Sequence, residues 1–249
     1  MYKELILFPE KFKSERIYPE MSRKIISDAC AGHSISPAIF RRMENGKTIN
    51  TRIGDDREGE GFATPPEIIF DGGLGFIRLY GIGQSGCALL DDQTPLIVSA
   101  VAKYVSGSYR MDMKHGDCTL EMSEPTLYSI RRLVMAKSPD AMRHFVNVPA
   151  INRQSEIALV LKRGIFAMAK HLDGEPDSTS FLENLIPADD IWDIEILEGE
   201  PALMMMGNGI HVAGYKNVTF STTLKLNGPW TAGKLQSKGY GLIRRRIER

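Results

Sequence analysis

Cysteine is scarce in this 249-residue chain, where Cys30, Cys87 and Cys118 are the whole set. Odd in number and scattered, they supply no disulfide framework, and no C-x-x-C pair occurs. "CAGH" offers Cys30 and His33 without the second ligand pair that a zinc site needs. Net charge is missing too: 31 basic residues balance 31 acidic ones, whereas a simple nucleic-acid-binding domain is basic. No apolar run approaches a membrane span, and "MYKELILFPEKFKSER" lacks a signal-peptide core. Fixed-period repeats and low-complexity tracts are absent as well. These absences predict a cytoplasmic protein with no membrane partner. What remains is an ordinary globular composition, 43% hydrophobic and 25% charged, long enough for one large domain or two small ones.

The zero net charge averages over an uneven chain. From Asp173 to Glu200 it is acidic, while basic residues gather in "SIRRLVMAKSPDAMRH", in "NRQSEIALVLKRGIFAMAKH" and in "GLIRRRIER". One side of such a molecule can be strongly positive although the total cancels.

The first half reads as alternating strands and helices. "KELILF" is a strand ended by Pro9. "YPEMSRKIISDACAGH" is an amphipathic helix with Met21, Ile25, Ile26 and Ala29 on one face and Gly32 as its stop. Residues 43–66 are polar and glycine-rich, which predicts a long mobile loop. "EIIFDGGLGFIRLYGI" is a hairpin, "TPLIVSAVAKYVSG" a helix with a proline in its first turn, and "YRMDMKHGDCTLEM" a returning strand with a turn at "HGD". The order β-α-β-β-α-β is ferredoxin-like, the pattern that RNA-recognition (RRM) domains also use.

In the second half, "SPDAMRHF" opens a helix and "INRQSEIALVLKRGIFAMAKHLDG" forms a longer one interrupted at Gly164. "PALMMMGN", "NVTFSTTLKLNG" and "GKLQSKGYGLIRR" follow as strands, with Met204 to Met206 as core. The expected architecture is α+β. A ferredoxin-like domain over 1–121 precedes a second half, 122–249, with a helical insertion at about 138–195 and an antiparallel C-terminal sheet ending in a glycine-rich loop.

"GIGQSG" (Gly81, Gly83, Gly86) satisfies the dinucleotide fingerprint G-x-G-x-x-G. That motif needs a helix opening directly on it after a strand of a parallel unit. "CALLDDQTP" follows instead, where Pro95 is expected to break an early helix, and the preceding strand belongs to a hairpin. A nucleotide-binding enzyme using these glycines is a remote alternative, and glycines packed at a hairpin rim are the plain one.

"NVTFSTTLKLNGPWTAGKLQSKGYGLI" runs from an alternating strand through a "GP" turn and a basic glycine loop into "GYGL". Backbone N–H groups in such a loop, with Lys234 and Lys238 beside them, suit a phosphate chain. This stretch resembles the CRISPR repeat-processing endoribonucleases of the RAMP superfamily, whose chains commonly end in a glycine-rich loop leading into such a strand. "YSIRRLVMAKSPDAMRHF" is similar to the type I-F segment in which a strand ending "AKS" leads into an arginine-bearing helix. The extra helix, the acidic stretch and the length resemble the larger type IV relative.

The resemblance implies a ferredoxin-like domain paired with a second, degenerate one. It implies binding to the repeat hairpin of precursor CRISPR RNA and metal-free cleavage at its 3′ base without any cofactor. It also implies retention of the product among other subunits of an effector complex. A non-catalytic RNA-binding subunit of the same superfamily remains the alternative.

Attack by a ribose 2′-OH needs a proton acceptor, for which histidine is the commonest choice. Family members often carry one in or just after the first helix, and here that place falls to His33, the candidate general base. The type I-F histidine position itself is occupied by Ala29, so His33 has a second reading as a helix-terminal residue that favours the dipole. Arg23 and Arg41 are the alternative catalytic groups, since guanidinium can stabilise phosphate charge without transferring a proton. Arg42, Arg131, Arg132, Lys137, Arg143, Arg153, Lys162, Arg163, Lys170, Lys234, Lys238 and Arg244 are candidates for holding the RNA backbone. Tyr240 could stack on a base or lie in the core. Arg244 to Arg246 should alternate sides, with at least one facing outward. His115 reads as a turn residue, and His144, His171 and His211 as structural or exposed.

Overall fold

The computed structural model describes residues 1–40, 43–44, 47–48, 65–136, 143, 145–172, 193–205 and 211–246. It divides into two compact units. The first holds Met1–Asn50 and Pro66–Cys118 together with Ser237–Gly239, and the second holds Thr119–Gln236 and Tyr240–Arg249.

In the first unit, β1 (Tyr2–Pro9) sends Leu5 and Leu7 into the core. The first helix, α1 (Pro19–Ala29), buries Pro19, Ser22, Ile26 and Ala29. This face is rotated from the expected one, since Met21 stays 38% exposed. Close approach to the sheet explains the rotation: a Cβ on Gly72 would lie 2.7 Å from both Ser22 Oγ and the Ile17 carbonyl. Only a small side chain fits there. Strands β2 (Met43–Glu44) and β3 (Lys47–Thr48) form a minimal hairpin in the stretch expected as a loop, whose residues 49–64 lie outside the described ones.

The expected hairpin is β4 (Ile68–Gly73) and β5 (Phe76–Ile82), turning at Gly75 with φ +75°. The second helix, α2, runs unbroken from Gly83 to Val105, so Pro95 does not end it. An interior proline costs about 3 kcal/mol. Burial of Cys87, Leu90, Ile97, Ala100, Val101 and Val105 outweighs that cost. Strand β6 (Tyr109–Gly116) includes His115, opposite Lys3 rather than in a turn. The sheet order is β4-β5-β1-β6, antiparallel throughout. This is the ferredoxin-like arrangement, with α1 and α2 packed on one face.

In the second unit, β7 (Thr119–Ala136) is irregular between Met122 and Thr126, where Pro125 can donate no ladder bond. The third helix, α3 (Ala150–Leu172), passes Gly164 without interruption. A Cβ there would lie 2.6 Å from Ala232, so the glycine serves contact rather than a break. Strand β8 (Ile194–Met205) begins inside the acidic stretch and alternates, burying Met204 and exposing Met205; Met206 lies outside the described residues. Strands β9 (His211–Asn227), β10 (Trp230–Thr231) and β11 (Leu242–Arg245) complete a sheet of order β10-β11-β7-β9-β8.

Taken in chain order, β7, α3, β8, β9 and β11 repeat the topology of the first unit, with a loop where the second crossover helix would stand. The helix α3, inside the segment expected as an insertion, takes the first crossover position. "GKLQSKGYGLIRR" is a strand only over Leu242–Arg245, because Gly233, Leu235, Gly239 and Gly241 have φ of +79°, +64°, +85° and +77°. Positive φ is incompatible with extended backbone. Among the described residues no helix is long and apolar enough to cross a membrane.

Candidate functional site

The first unit places the glycine-loop residues Ser237–Gly239 against α1. Gly239 makes this possible, since a Cβ on it would sit 2.7 Å from the Pro19 backbone. Arg23, one turn further along α1, donates through Nε to the Ser237 carbonyl at 3.1 Å and through Nη2 to the Phe40 carbonyl at 3.4 Å. Its guanidinium also lies 5.8 Å from the Phe40 ring centroid. Arg23 thus joins the helix, the residue before Arg41 and the residue before Lys238. Arg41 and Arg42 themselves lie outside the described residues.

Beyond α1 the chain turns through Cys30–Gly32, where Gly32 adopts φ +80°. His33 follows, its backbone N–H on the Cys30 carbonyl and its side chain exposed. Cys30 is buried, and burial pushes its thiol up to about 11, which keeps it protonated and non-nucleophilic at neutral pH. His33 is therefore the group in "CAGH" that is open to a ligand. Among the described residues no three His, Cys, Asp or Glu side chains are grouped to hold a metal ion.

The glycine loop on either side of Ser237–Gly239 is fixed by its own bonds. The Gln236 side chain accepts from Thr231 Oγ1 and donates to the Gly233 carbonyl, both at 2.9 Å. Lys234 N–H donates to Val134, Gly241 N–H to Arg132 and Ala232 N–H to Gly241, each at 2.9 Å. A Cβ on Gly241 would lie 1.8 Å from the Ala232 carbonyl. Lys234 and Lys238 are half-buried. Tyr240 is 5% exposed and packs with Val134, Met204 and Val212, so its ring belongs to the core cluster there.

The other basic candidates are spread over the second unit. Arg131 and Arg132 are half-buried on β7, with Arg132 opposite Lys216. Arg143 and Arg163 are exposed, Lys162 is half-buried, and Arg153 Nε donates to the Val148 carbonyl at 3.2 Å. On α3, Ile157, Leu161 and Ile165 are buried while Val160 is only half-buried. Lys170 is on the same helix, its side chain outside the described residues, as is Lys137 altogether. Arg244, Arg245 and Arg246 are all exposed rather than alternating. The strand ends at Arg245, and Arg246 turns back to reach Thr219 Oγ1 at 3.3 Å. Arg245 is thus an accessible cation that alternation, with Arg244 and Arg246 on one side, would have turned the other way.

The glycines of "GIGQSG" serve packing. A Cβ on Gly81 would lie 2.3 Å from the Gly86 carbonyl, and one on Gly86 would lie 2.4 Å from the Glu67 carbonyl. Contrary to expectation, α2 does open directly on the motif, but the Gly83 N–H is taken by the Met1 carbonyl at 3.1 Å. The adjoining strands are antiparallel, whereas dinucleotide binding at this motif needs a parallel unit.

No curated protein matches the chain. Among solved structures it resembles a type IV Cas6 crRNA endonuclease, Csf5, at 18% identity and a TM-score of 0.65, covering 99% of this chain and 100% of that one. A Cas6b structure is similar at 14% identity and a TM-score of 0.62, over 98% and 99% of the two chains. A second Cas6b, described as a CRISPR RNA processing endoribonuclease, gives 15% and 0.56 over 99% and 100%. At these identities the likeness speaks for the fold. The family match decides membership, because it spans residues 5–247 rather than the two short stretches that carry the sequence resemblance. The chain is a member of the type IV CRISPR-associated endonuclease family Csf5.

Proposed function

We propose that this CRISPR RNA-processing endoribonuclease cuts its repeat hairpin by metal-independent attack of the ribose 2′-OH. The observation that carries this reading is the Arg23 clamp, which holds Ser237 and Phe40 together on the helix that ends just before His33. In this reading His33 accepts the 2′-OH proton as the 2′ oxygen bonds to phosphorus. The bond from phosphorus to the 5′ oxygen breaks, and that oxygen takes a proton as it leaves. The products are a 2′,3′-cyclic phosphate and a 5′-hydroxyl. A positioned general base contributes about 10²–10⁴-fold.

Lys238 and Arg41, next to the two clamped carbonyls, offset the charge that builds on the phosphate. Arg23 fixes both segments and adds its own field. Backbone grip comes from Arg143, Arg153, Lys162, Arg163 and Lys170, from Arg131 and Arg132, and from Lys234 and the Arg244–Arg246 run. The cleaved guide stays bound as part of an effector complex with other subunits.

The test is incubation of the protein in EDTA with a labelled repeat RNA, beside the same RNA carrying a 2′-deoxy at the scissile site. Cutting of the all-ribose strand alone, leaving a cyclic phosphate, is the expected result. Loss of cutting in EDTA, or a 3′-hydroxyl product, would overturn it.

A further inference from the structure

The sheet of the first unit has a second face, opposite α1 and α2. Leu5, Leu7, Ile77 and Leu79 point to the helices, so Phe8, Phe76, Arg78 and Arg110 lie on the other side by strand alternation. Phe8 and Phe76 stand one step beyond the paired Leu7 and Ile77, on the two central strands β1 and β5, with ring centroids 6.0 Å apart. On the far side Phe8 pairs with Arg110 of β6, whose guanidinium carbon lies 4.1 Å from the ring centroid. Arg78 lies 4.7 Å from the Phe76 centroid. A Cβ on Gly73 would meet the Phe76 ring at 2.2 Å, so the glycine on β4 leaves room for that ring, which is tilted 54° from Phe8. The four groups thus follow one another across the sheet, each guanidinium beside one of the two rings. Both rings are only half-buried and the Arg110 side chain is 68% exposed.

We propose that this row binds the unpaired RNA that flanks the repeat hairpin, its bases stacking on Phe8, Phe76 and the outer plane of Arg110. The proposal rests on the reading of RNA as substrate. Single-stranded bases present free π-faces, whereas duplex bases are already stacked, so an aromatic and guanidinium platform selects the unpaired segment. An acidic peptide fits less well. Arg110 already faces Asp112 at 3.4 Å and Arg78 faces Asp71 at 3.7 Å, which leaves flat surface rather than open charge on offer. This site lies outside the chemistry assigned to α1 and the glycine loop.

Binding is measured by fluorescence anisotropy for three RNAs: the repeat with its unpaired flanks, the trimmed hairpin, and an eight-nucleotide oligouridylate. Phe8→Ala and Arg110→Ala should weaken the flanked repeat and the oligouridylate by about tenfold, the loss of one stacked base, and leave the trimmed hairpin unchanged. Arg110 is exposed enough that its removal leaves the core intact. Equal weakening of flanked and trimmed RNA, or none for Arg110→Ala, would overturn the proposal. With 4-thiouridine in the oligouridylate, ultraviolet cross-links should map to peptides containing Phe8 or Phe76. Cross-links confined to other peptides, or displacement by a poly-glutamate peptide at equal concentration, would count against it. A protein that ignores the trimmed hairpin yet cross-links through Phe8 refutes the proposed hairpin chemistry and leaves this site standing.

Discussion

Arg23 and Ser237 are separated by 214 positions in sequence and joined by a 3.1 Å hydrogen bond from guanidinium Nε to backbone carbonyl. A second bond from the same side chain holds the Phe40 carbonyl. The planar guanidinium can serve two carbonyls at once, whereas an ammonium acts as a point charge. Arg23→Lys should therefore keep most of the hairpin affinity while lowering the single-turnover cleavage rate by about tenfold or more. Hydrogen exchange at Ser237–Gly239 is the accompanying readout, and it should quicken, because a charge-assisted bond of about 1.5–3 kcal/mol is lost there. Unchanged exchange would place the effect of Arg23 elsewhere.

His33→Ala should reduce cleavage by about 10²–10⁴-fold and leave hairpin binding within a factor of two, as removal of a general base predicts. Added imidazole should restore part of the rate. A variant that cuts at full rate removes His33 from the mechanism.

Arg143→Ala and Arg163→Ala remove exposed cations. Each should weaken hairpin binding across sequences and lower the slope of log affinity against log salt by about one unit. Titrations from low to moderate salt check this, and an unchanged slope assigns the residue to a solvated face.

Gly164→Ala reverses the usual sign for a helix interior. Alanine ordinarily stabilises such a position by about 1 kcal/mol relative to glycine. Here the new methyl would lie 2.6 Å from Ala232, so urea denaturation should show a loss of about 1–3 kcal/mol. A gain would mean that β10 yields without strain.

Cys30 gives the fold an alkaline weakness. Burial raises its thiol from 9.0 to about 11, so the folded state keeps a proton that the unfolded chain releases. The stability tied to that proton is complete below about pH 9 and declines as pH rises toward about 11. The decline is at most about 1.4 kcal/mol per pH unit. Cys30→Ala should flatten the pH dependence of the urea midpoint over that window, and an unaltered slope would assign the alkaline loss to other groups.

The first unit was legible because its strands and helices alternate in a strict order and its hairpin carries "DGG". What escaped were features set by a distant neighbour. The helical face of α1 turned toward Ser22 because Gly72 lets the strand come close, and Pro95 stayed inside α2 because burial along the whole helix outweighs one missing bond. Gly164 carries the same lesson: a glycine inside a helical pattern reads as a break, while its actual partner, Ala232, sits far away in the chain. Arg23 was legible as a cation on α1 but not as a clamp, since nothing local announces a bond to Ser237. Phe76 stands in the alternation "FIRLY" and Phe8 closes "KELILF", and only the pairing of β1 with β5 brings the two rings together.

The clamp also has a schedule. During translation α1 is made early, but its partner Ser237 is added more than two hundred residues later, so this hydrogen bond forms only after synthesis has passed that codon. A product cut short before Ser237 holds the sequence of all four strands of the first sheet and no loop against Arg23. The contact between the glycine loop and α1 is therefore the last part of the first unit to be added to the chain.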